Sequence, residues 1–567
     1  MNYGFIIDNR KCIGCHACTV ACKAEHETPV GVNRTWVKYI EKGEYPDTRR
    51  LFSVMRCNHC AEAPCVDICP TKALFTRTDG IVDFDNRRCI GCKSCMQACP
   101  YDALYIDPDT HTAAKCNYCA HREEIGLEPA CVIVCPEHAI VSGNMDDPDS
   151  EISHLLDTQP VTVRKAEKGT EPKLFYINGD ELSLNPALSR PSTSYMWSSQ
   201  AAGVGHYARF AESRLITGSE VVRPTSESER VGRSRGQMGD VEPVADEEWM
   251  SASGTDERVL VPKGAEDAGM VNKAREVLDE NVRRVYDVPD KGVMWGWPVA
   301  AYVWTKAIST GAFLVVFLPL ALGFIAVDDA TQWWGLWTAL VFLFLTGFLL
   351  VKDLDQPRRF LYVLLRPQWK SWLVRGGYAL LVYSALLSLM VASEVFDWNT
   401  LQGPLRWLTA VFAIMTAIYT AFLFAQAKGR DLWQSRWASL HMVVQSLAAG
   451  AAVGMVIAMV PSSAPEWESF LRMLLPGAVI FNLFLTVIEL FGTHATQDAR
   501  RTMNMIVAGR FRIWSWAGGV VAGHVVPLLI LWTAAAELWP LAGVLVLVGI
   551  YIMDHIWVRA PQLVPLS

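Results

Sequence analysis

All sixteen cysteines of this 567-residue chain fall between Cys12 and Cys135, and that confinement constrains the fold more than any other feature. They sort into four sets of four: Cys12, Cys15, Cys18 and Cys22; Cys57, Cys60, Cys65 and Cys69; Cys89, Cys92, Cys95 and Cys99; Cys116, Cys119, Cys131 and Cys135. A C-x2-C-x2-C turn offers three thiolates from one loop, and a more distant cysteine, often before proline, completes the set an iron–sulfur cubane needs. Cys69, Cys99 and Cys135 precede Pro70, Pro100 and Pro136, whereas Cys22 precedes Lys23. Zinc also takes four cysteines in C-x2-C pairs, but four complete sets with three Cys-Pro endings favour four [4Fe-4S] clusters. The sets also repeat. Cys12-Ile13-Gly14-Cys15 recurs as Cys89-Ile90-Gly91-Cys92, and Cys57-Asn58-His59-Cys60 as Cys116-Asn117-Tyr118-Cys119, an A-B-A-B order that reads as a duplicated two-cluster unit.

Disulfides are the other use of an even cysteine count. The start Met1-Asn2-Tyr3-Gly4-Phe5 lacks a basic segment, an apolar segment and a twin-arginine motif, so a reducing cytosol is expected for this region. A net charge of -7 without long basic tracts gives no nucleic-acid signature.

Beyond the cysteines the composition changes twice. Residues 1–145 hold the clusters, 146–293 form a polar extension and linker partly packed on them, and 294–567 are dominated by apolar runs. The middle stretch, richest in Ser, Gly, Pro and charge from Ser192 to Gly269, reads mostly as loop, although Pro172–Ile177 reads as a strand. Mean hydropathy is +0.19, and the last region has eight apolar segments near the roughly 20 residues needed to cross a bilayer. They run about 298–325, 333–351, 371–393, 404–426, 437–460, 469–492, 513–535 and 540–558.

Loops after the second, fourth and sixth segments carry Lys352, Arg358, Arg359, Arg366, Lys370, Lys428, Arg430, Arg436, Arg500, Arg501, Arg510 and Arg512. The alternate loops carry Asp328, Asp329, Glu394, Asp397, Glu466 and Glu537. The positive-inside rule then places the basic loops, both termini and the cysteine region in the cytoplasm, on an inner, multi-pass membrane protein.

With these motifs in place, the first 180 residues resemble the four-cluster electron-transfer subunits of the molybdopterin oxidoreductase family, such as those of dimethyl sulfoxide reductase, polysulfide reductase and formate dehydrogenase. The resemblance implies a duplicated ferredoxin-like α+β fold and crossed ligation. Cys12, Cys15 and Cys18 would pair with Cys135; Cys116, Cys119 and Cys131 with Cys22; Cys57, Cys60 and Cys65 with Cys99; and Cys89, Cys92 and Cys95 with Cys69. It also implies a separate catalytic subunit carrying a molybdenum or tungsten bis-pterin cofactor, approached by the first set, while the third set lies nearest the membrane. Trp295-Gly296-Trp297-Pro298, Asp353-Leu354-Asp355-Gln356-Pro357-Arg358-Arg359-Phe360 and the pair Tyr419 and Trp433 resemble the polysulfide-reductase-type NrfD membrane subunit. That implies an all-α domain of eight transmembrane helices exchanging electrons with menaquinone or ubiquinone in anaerobic respiration, with Tyr302 and Tyr419 beside the quinone.

Ionisable residues in membrane helices each cost on the order of 3 kcal/mol and need a reason. Lys306, Asp353, His441, Glu489, His494, Asp554 and His555 all fall near the cytoplasmic ends of their segments. Lys306 and Glu489 are read as quinone-site residues; Glu489, Asp353 and His441 as proton donors, since quinone reduction takes up two protons with two electrons. Snorkelling or interhelical hydrogen bonds are the bland alternative. His524, near mid-membrane, fits a relay or a helix contact equally. No residue pattern for substrate chemistry stands out on this chain. Two rivals follow: a redox-driven proton pump, or a haem-b anchor using His441 and His555.

Overall fold

In the computed structural model, the described residues are 1–44, 47–186, 188–191, 282–288, 291–457, 465–494, 496–533 and 536–567. The expected loop from Ser192 to Gly269 lies outside them. The N-terminal region is a sheet-containing ferredoxin-like unit. One four-stranded sheet runs in the order Ile140–Asn144, Tyr3–Asp8, Leu174–Ile177, Val161–Thr162. Its second strand is buried on both faces, with Phe5, Ile6 and Ile7 at most 1% exposed, which accounts for the uninterrupted apolar run. Tyr3–Asp8 pairs antiparallel with Ile140–Asn144, so the start of the chain closes on the strand just after Cys135. The expected strand at 172–177 is present as Leu174–Ile177, parallel to Tyr3–Asp8.

A long hairpin, Thr35–Glu44 with Asp47–Arg56, is joined on its edge by Val282–Tyr286 from beyond the undescribed stretch, a strand the polar composition around it concealed. Small hairpins at Leu74–Thr76 with Val82–Phe84 and at Leu104–Ile106 with Ala113–Lys115 each begin four residues after a Cys-Pro proline, so the duplication extends past the cysteines.

Among the described residues, eight helices long and apolar enough to cross a membrane follow: Trp297–Ala321, Asp329–Lys352, Trp372–Val395, Asn399–Gln426, Ala438–Ile457, Pro465–Phe491, Trp514–Thr533 and Trp539–Arg559. The first is central, 83% buried over its apolar window. It meets the fifth so closely that a Cβ on Gly311 would sit 1.8 Å from the Ser446 carbonyl oxygen. In the seventh, Trp514–Val525 is π-helical, an irregularity that periodicity did not announce.

The iron–sulfur region sits on the face carrying the basic loops. Asp355 and Gln356 donate backbone N–H groups to the carbonyls of Gly91 and Ile90, and Gln368 to that of Pro70. Arg359 Nη1 donates to the carbonyls of Asn86 and Cys89, at 2.8 and 3.1 Å. Lys93 pairs with Asp355 at 2.9 Å, Lys168 pairs with Asp431, and Arg430 Nε donates to Gln97 at 3.0 Å. The C-terminus belongs to the same face, where Arg164 donates to the Leu566 carbonyl.

Candidate functional site

The turns that present the cysteines use backbone conformations most residues avoid. Gly14 and His16 lie at φ 72° and 61°, and their repeat partners Gly91 and Lys93 at 70° and 61°. His59 and Tyr118, the equivalent residues of the other motif, are also left-handed. Gly91 has a second constraint, since a Cβ there would meet Asp355 Cβ at 2.6 Å, across the contact with the membrane region.

Cysteines of different motifs meet in the structure. Cys135 interacts with Cys12, and Cys22 with Cys116, Cys119 and Cys131. Cys99 interacts with Cys57, Cys60 and Cys65, and Cys69 with Cys89, Cys92 and Cys95. Cys69, Cys89, Cys92 and Cys95 line one enclosed cavity. The sets also form a series, in which Cys18 neighbours Cys131, Cys116 neighbours Cys57, and Cys65 neighbours Cys95. Cys15, in the first set, is exposed, while Cys92, in the last, faces the membrane region.

Burial pushes the thiols of Cys18, Cys92 and Cys119 up to about 12, so their thiolates are favoured only with a cation. Sixteen mostly buried sulfurs in groups of four, with the buried guanidinium of Arg56 donating to Cys131 Sγ at 3.3 Å, fit [4Fe-4S] clusters as a donor set.

Below Cys92 a cleft of about 900 Å³ opens between the second and third membrane helices. Cys92, Trp295, Tyr302, Asp353 and Tyr419 all line it, with a wall otherwise apolar save Ser94 and Ser384. Trp295 spans the junction: its Nε1 donates to the Cys92 carbonyl at 3.1 Å, and its ring stacks on Trp433 at 5.4 Å. Tyr419 lies against Gly376, where a Cβ would come within 2.1 Å of the phenol ring. Lys306 is buried behind it, 4.7 Å from the centre of that ring, with Nζ donating to the Ala417 carbonyl at 3.0 Å and to Thr420 Oγ1 at 2.5 Å. Thr420 also interacts with Tyr302 and Tyr419, so these four side chains form one cluster. Asp353, just beyond the second helix, has its carboxyl pushed up to about 6 by burial, with Lys93 opposing the shift.

Glu489 and His441 are not in this cleft. The sixth helix packs against the fifth and seventh, placing them in a second, smaller cavity with Gln445, Asn482, His524 and Asp554. There Glu489 accepts from Ser435 at 3.0 Å and meets His441 Nδ1 at 2.7 Å. Gln445 donates to Asp554 at 2.8 Å, and His524 Nε2 meets Asn482 Oδ1 at 2.9 Å. His555 turns to Arg559 instead, so the two histidines weighed as haem ligands take separate partners. His494 lies in the loop after the sixth helix.

The sequence reading missed Arg56, Trp295 as a contact to Cys92, Gly376 and Thr420. Arg56 had one legible signal, a lone charge closing the run Phe52-Ser53-Val54-Met55 immediately before Cys57.

Fold and site together define an iron–sulfur electron-transfer protein joined to a multi-pass membrane domain. Comparison with known families agrees: 4Fe-4S dicluster domain models match residues 11–74 and 48–145, and the model described as polysulphide reductase, NrfD, matches 288–564. A tetrathionate reductase subunit of Salmonella typhimurium is 44% identical over 192 residues, covering 33% of this chain and 77% of that protein. A polysulfide reductase chain of Wolinella succinogenes is 44% identical over 180 residues, covering 31% of this chain and 93% of that protein. A putative dimethyl sulfoxide reductase iron-sulfur subunit of Halobacterium salinarum is 36% identical over 233 residues, covering 35% and 88%. This protein belongs to the same family of 4Fe-4S dicluster subunits of reductase complexes, fused here to an NrfD-type membrane region.

Proposed function

We propose that this chain carries electrons through four [4Fe-4S] clusters between a separate molybdenum or tungsten bis-pterin subunit and membrane quinone. Residues 1–145 would hold the clusters, 146–293 would brace and link them, and 294–567 would bind quinone. The observation that carries the reading is the shared cleft: Cys92, of the set nearest the membrane region, and the phenols Tyr302 and Tyr419 line one apolar space. That space is of the size small-molecule sites have and opens on the side of the helix bundle, where a lipid-soluble substrate can enter.

The sixteen cysteines would hold the clusters in the crossed sets, and the clusters, when bound, supply one-electron transfer. Their series leads from the exposed Cys15 to Cys92. Exposed Ile13, Val20, Ile133 and Val134 flank the first set and give a catalytic partner an apolar surface to cover. Tyr302 and Tyr419 can donate hydrogen bonds to a quinone carbonyl and stabilise the charge that develops on reduction. Lys306 holds Thr420 and Tyr419 in place and adds positive charge behind them. Asp353, at the cleft, and Glu489 with His441 in the second cavity, Glu489 also accepting from Ser435, would deliver the protons. By the charge of the loops, the cluster region and both termini face the cytoplasm. A second reading, in which the same chemistry moves protons across the membrane, draws on the continuation of that cavity to Asn482 and His524.

Replacing Tyr419 with Phe tests the site. Quinone turnover should slow on the order of 10- to 100-fold while all four clusters remain assembled and reducible by an artificial donor. Unchanged turnover with intact cluster signals places the quinone elsewhere. About sixteen irons and sixteen acid-labile sulfides per chain are expected, from four complete cysteine sets; zinc in their place refutes the cluster assignment.

A further inference from the structure

We propose that Arg56 is a shared counter-charge for two clusters, the one assigned to Cys22, Cys116, Cys119 and Cys131 and the one assigned to Cys12, Cys15, Cys18 and Cys135, and that it holds their potentials higher than the cysteine ligands alone would. The inference rests on the four-cluster reading above and adds a residue outside the cysteine motifs.

Arg56 closes the strand Asp47–Arg56 and is 0% exposed. A guanidinium remains charged even when buried, because its proton affinity is too high for burial to neutralise it. A buried charge of that kind needs an anion. Among the described residues the surroundings of Arg56 contain no carboxylate in an ion pair with it; the groups it meets are the sulfurs of Cys131, Cys116 and Cys18, from two different sets. Nη1 donates to Cys131 Sγ at 3.3 Å, and the guanidinium lies over the Phe5 ring, 4.4 Å from its centre, which fixes its plane. Nε and Nη2 are buried with no hydrogen-bond partner. Two orphaned, charged donors beside cysteine sulfur are what remains when the acceptor is a bound group rather than a side chain, and the sulfurs of a thiolate-ligated cluster are acceptors of that kind.

Lys115 is the nearby contrast. It is also 0% exposed, but its ammonium donates to the carbonyls of Val82 and Cys116 and so has partners without a cluster. Arg56 has only part of its donor set satisfied. Reduction adds one negative charge to a cluster, and a fixed positive charge and N–H donors beside its sulfurs stabilise that form more than the oxidised one. The effect should be largest at the Cys131 set, smaller at the Cys18 set, and absent at the set of Cys69, Cys89, Cys92 and Cys95, which is two places further along the series.

The test is a redox titration of the full-length membrane protein followed by EPR, comparing Arg56→Met, which keeps bulk but removes charge, with Arg56→Lys. Iron and sulfide analysis of the native protein tests the cluster reading separately. The expected result is a lowered potential for one cluster in Arg56→Met, a smaller lowering for a second, an unchanged value for the cluster assigned to Cys69, Cys89, Cys92 and Cys95, and partial recovery in Arg56→Lys. Loss of iron in Arg56→Met with full loading in Arg56→Lys also supports the charge role. Unchanged potentials, an equal shift of all clusters, or loss of iron in both variants overturns it, because each makes Arg56 either inert or a packing element.

Discussion

The two halves of this molecule solve the problem of holding a buried polar interior in opposite ways. In the iron–sulfur region and the extension packed on it the described α-helices are four to nine residues long and strands often three, and thirteen of the fourteen described non-glycine residues with positive φ lie there, before residue 180. In the membrane region the spans are 20 to 28 residues long, and Asp397, in a loop, is the single such residue among those described. A short element cannot persist through its own hydrogen bonds or propensity, so the first half depends on what its cysteines bind. The long helices satisfy their backbones internally, as a bilayer requires, and depend on close packing with one another. The proposed quinone site sits where the two meet, at Cys92, Trp295 and the tyrosine pair.

The largest effect should come from breaking the first half's dependence on its ligands. Cys69→Ser, which removes the distant ligand of the set nearest the cleft, should drop quinone turnover to background while the other clusters stay reducible; EPR and turnover with an artificial acceptor measure this. The matching break in the second half is Gly311→Val. A Cβ there would collide with the Ser446 backbone rather than a movable side chain, so the bundle should fail to assemble and lose its monodisperse peak in detergent, with no specific cluster signal lost first.

Trp295→Ala strikes the junction. It removes a nearly buried aromatic and its bond to Cys92, and should cost about 3–5 kcal/mol of stability, read as a lowered thermal midpoint. The smallest effect sharpens the proton assignment. Asp353 keeps its proton up to a pH of about 6, so it can donate to a quinone below that pH and loses this capacity as pH rises through it. Quinone reduction should therefore fall across that window, and Asp353→Asn should flatten this part of the pH profile by a few fold.

The sequence was most legible where chemistry imposes spacing. The four cysteine sets and eight spans could be read because thiolates need fixed intervals and bilayers fixed lengths, and the ends of the helices fall within a few residues of expectation in most cases. Titratable residues were less legible. Lys306, Asp353, Glu489, His441 and Asp554 share a similar depth in the sequence, yet helix packing sends Asp353 to the cleft and Glu489, His441 and Asp554 to a second cavity, while Lys306 lies behind Tyr419. Depth along a helix is set by sequence; the direction a side chain faces is set by neighbours. Gly376 illustrates the same limit, since its importance comes from the Tyr419 ring on another helix.

The central claim is that quinone reacts in the cleft beside Cys92, and it is tested most directly by rapid mixing of the reduced protein with a quinone while the iron–sulfur absorbance is followed. Gly347 lines the cleft, and a Cβ there would meet nothing within 4 Å, so Gly347→Phe fills the space without disturbing the helices. The account predicts reoxidation by quinone slowed on the order of 100-fold, the cost of keeping a substrate from its contact geometry, with reoxidation by ferricyanide unchanged. Equal quinone rates in the native and Gly347→Phe proteins would contradict it.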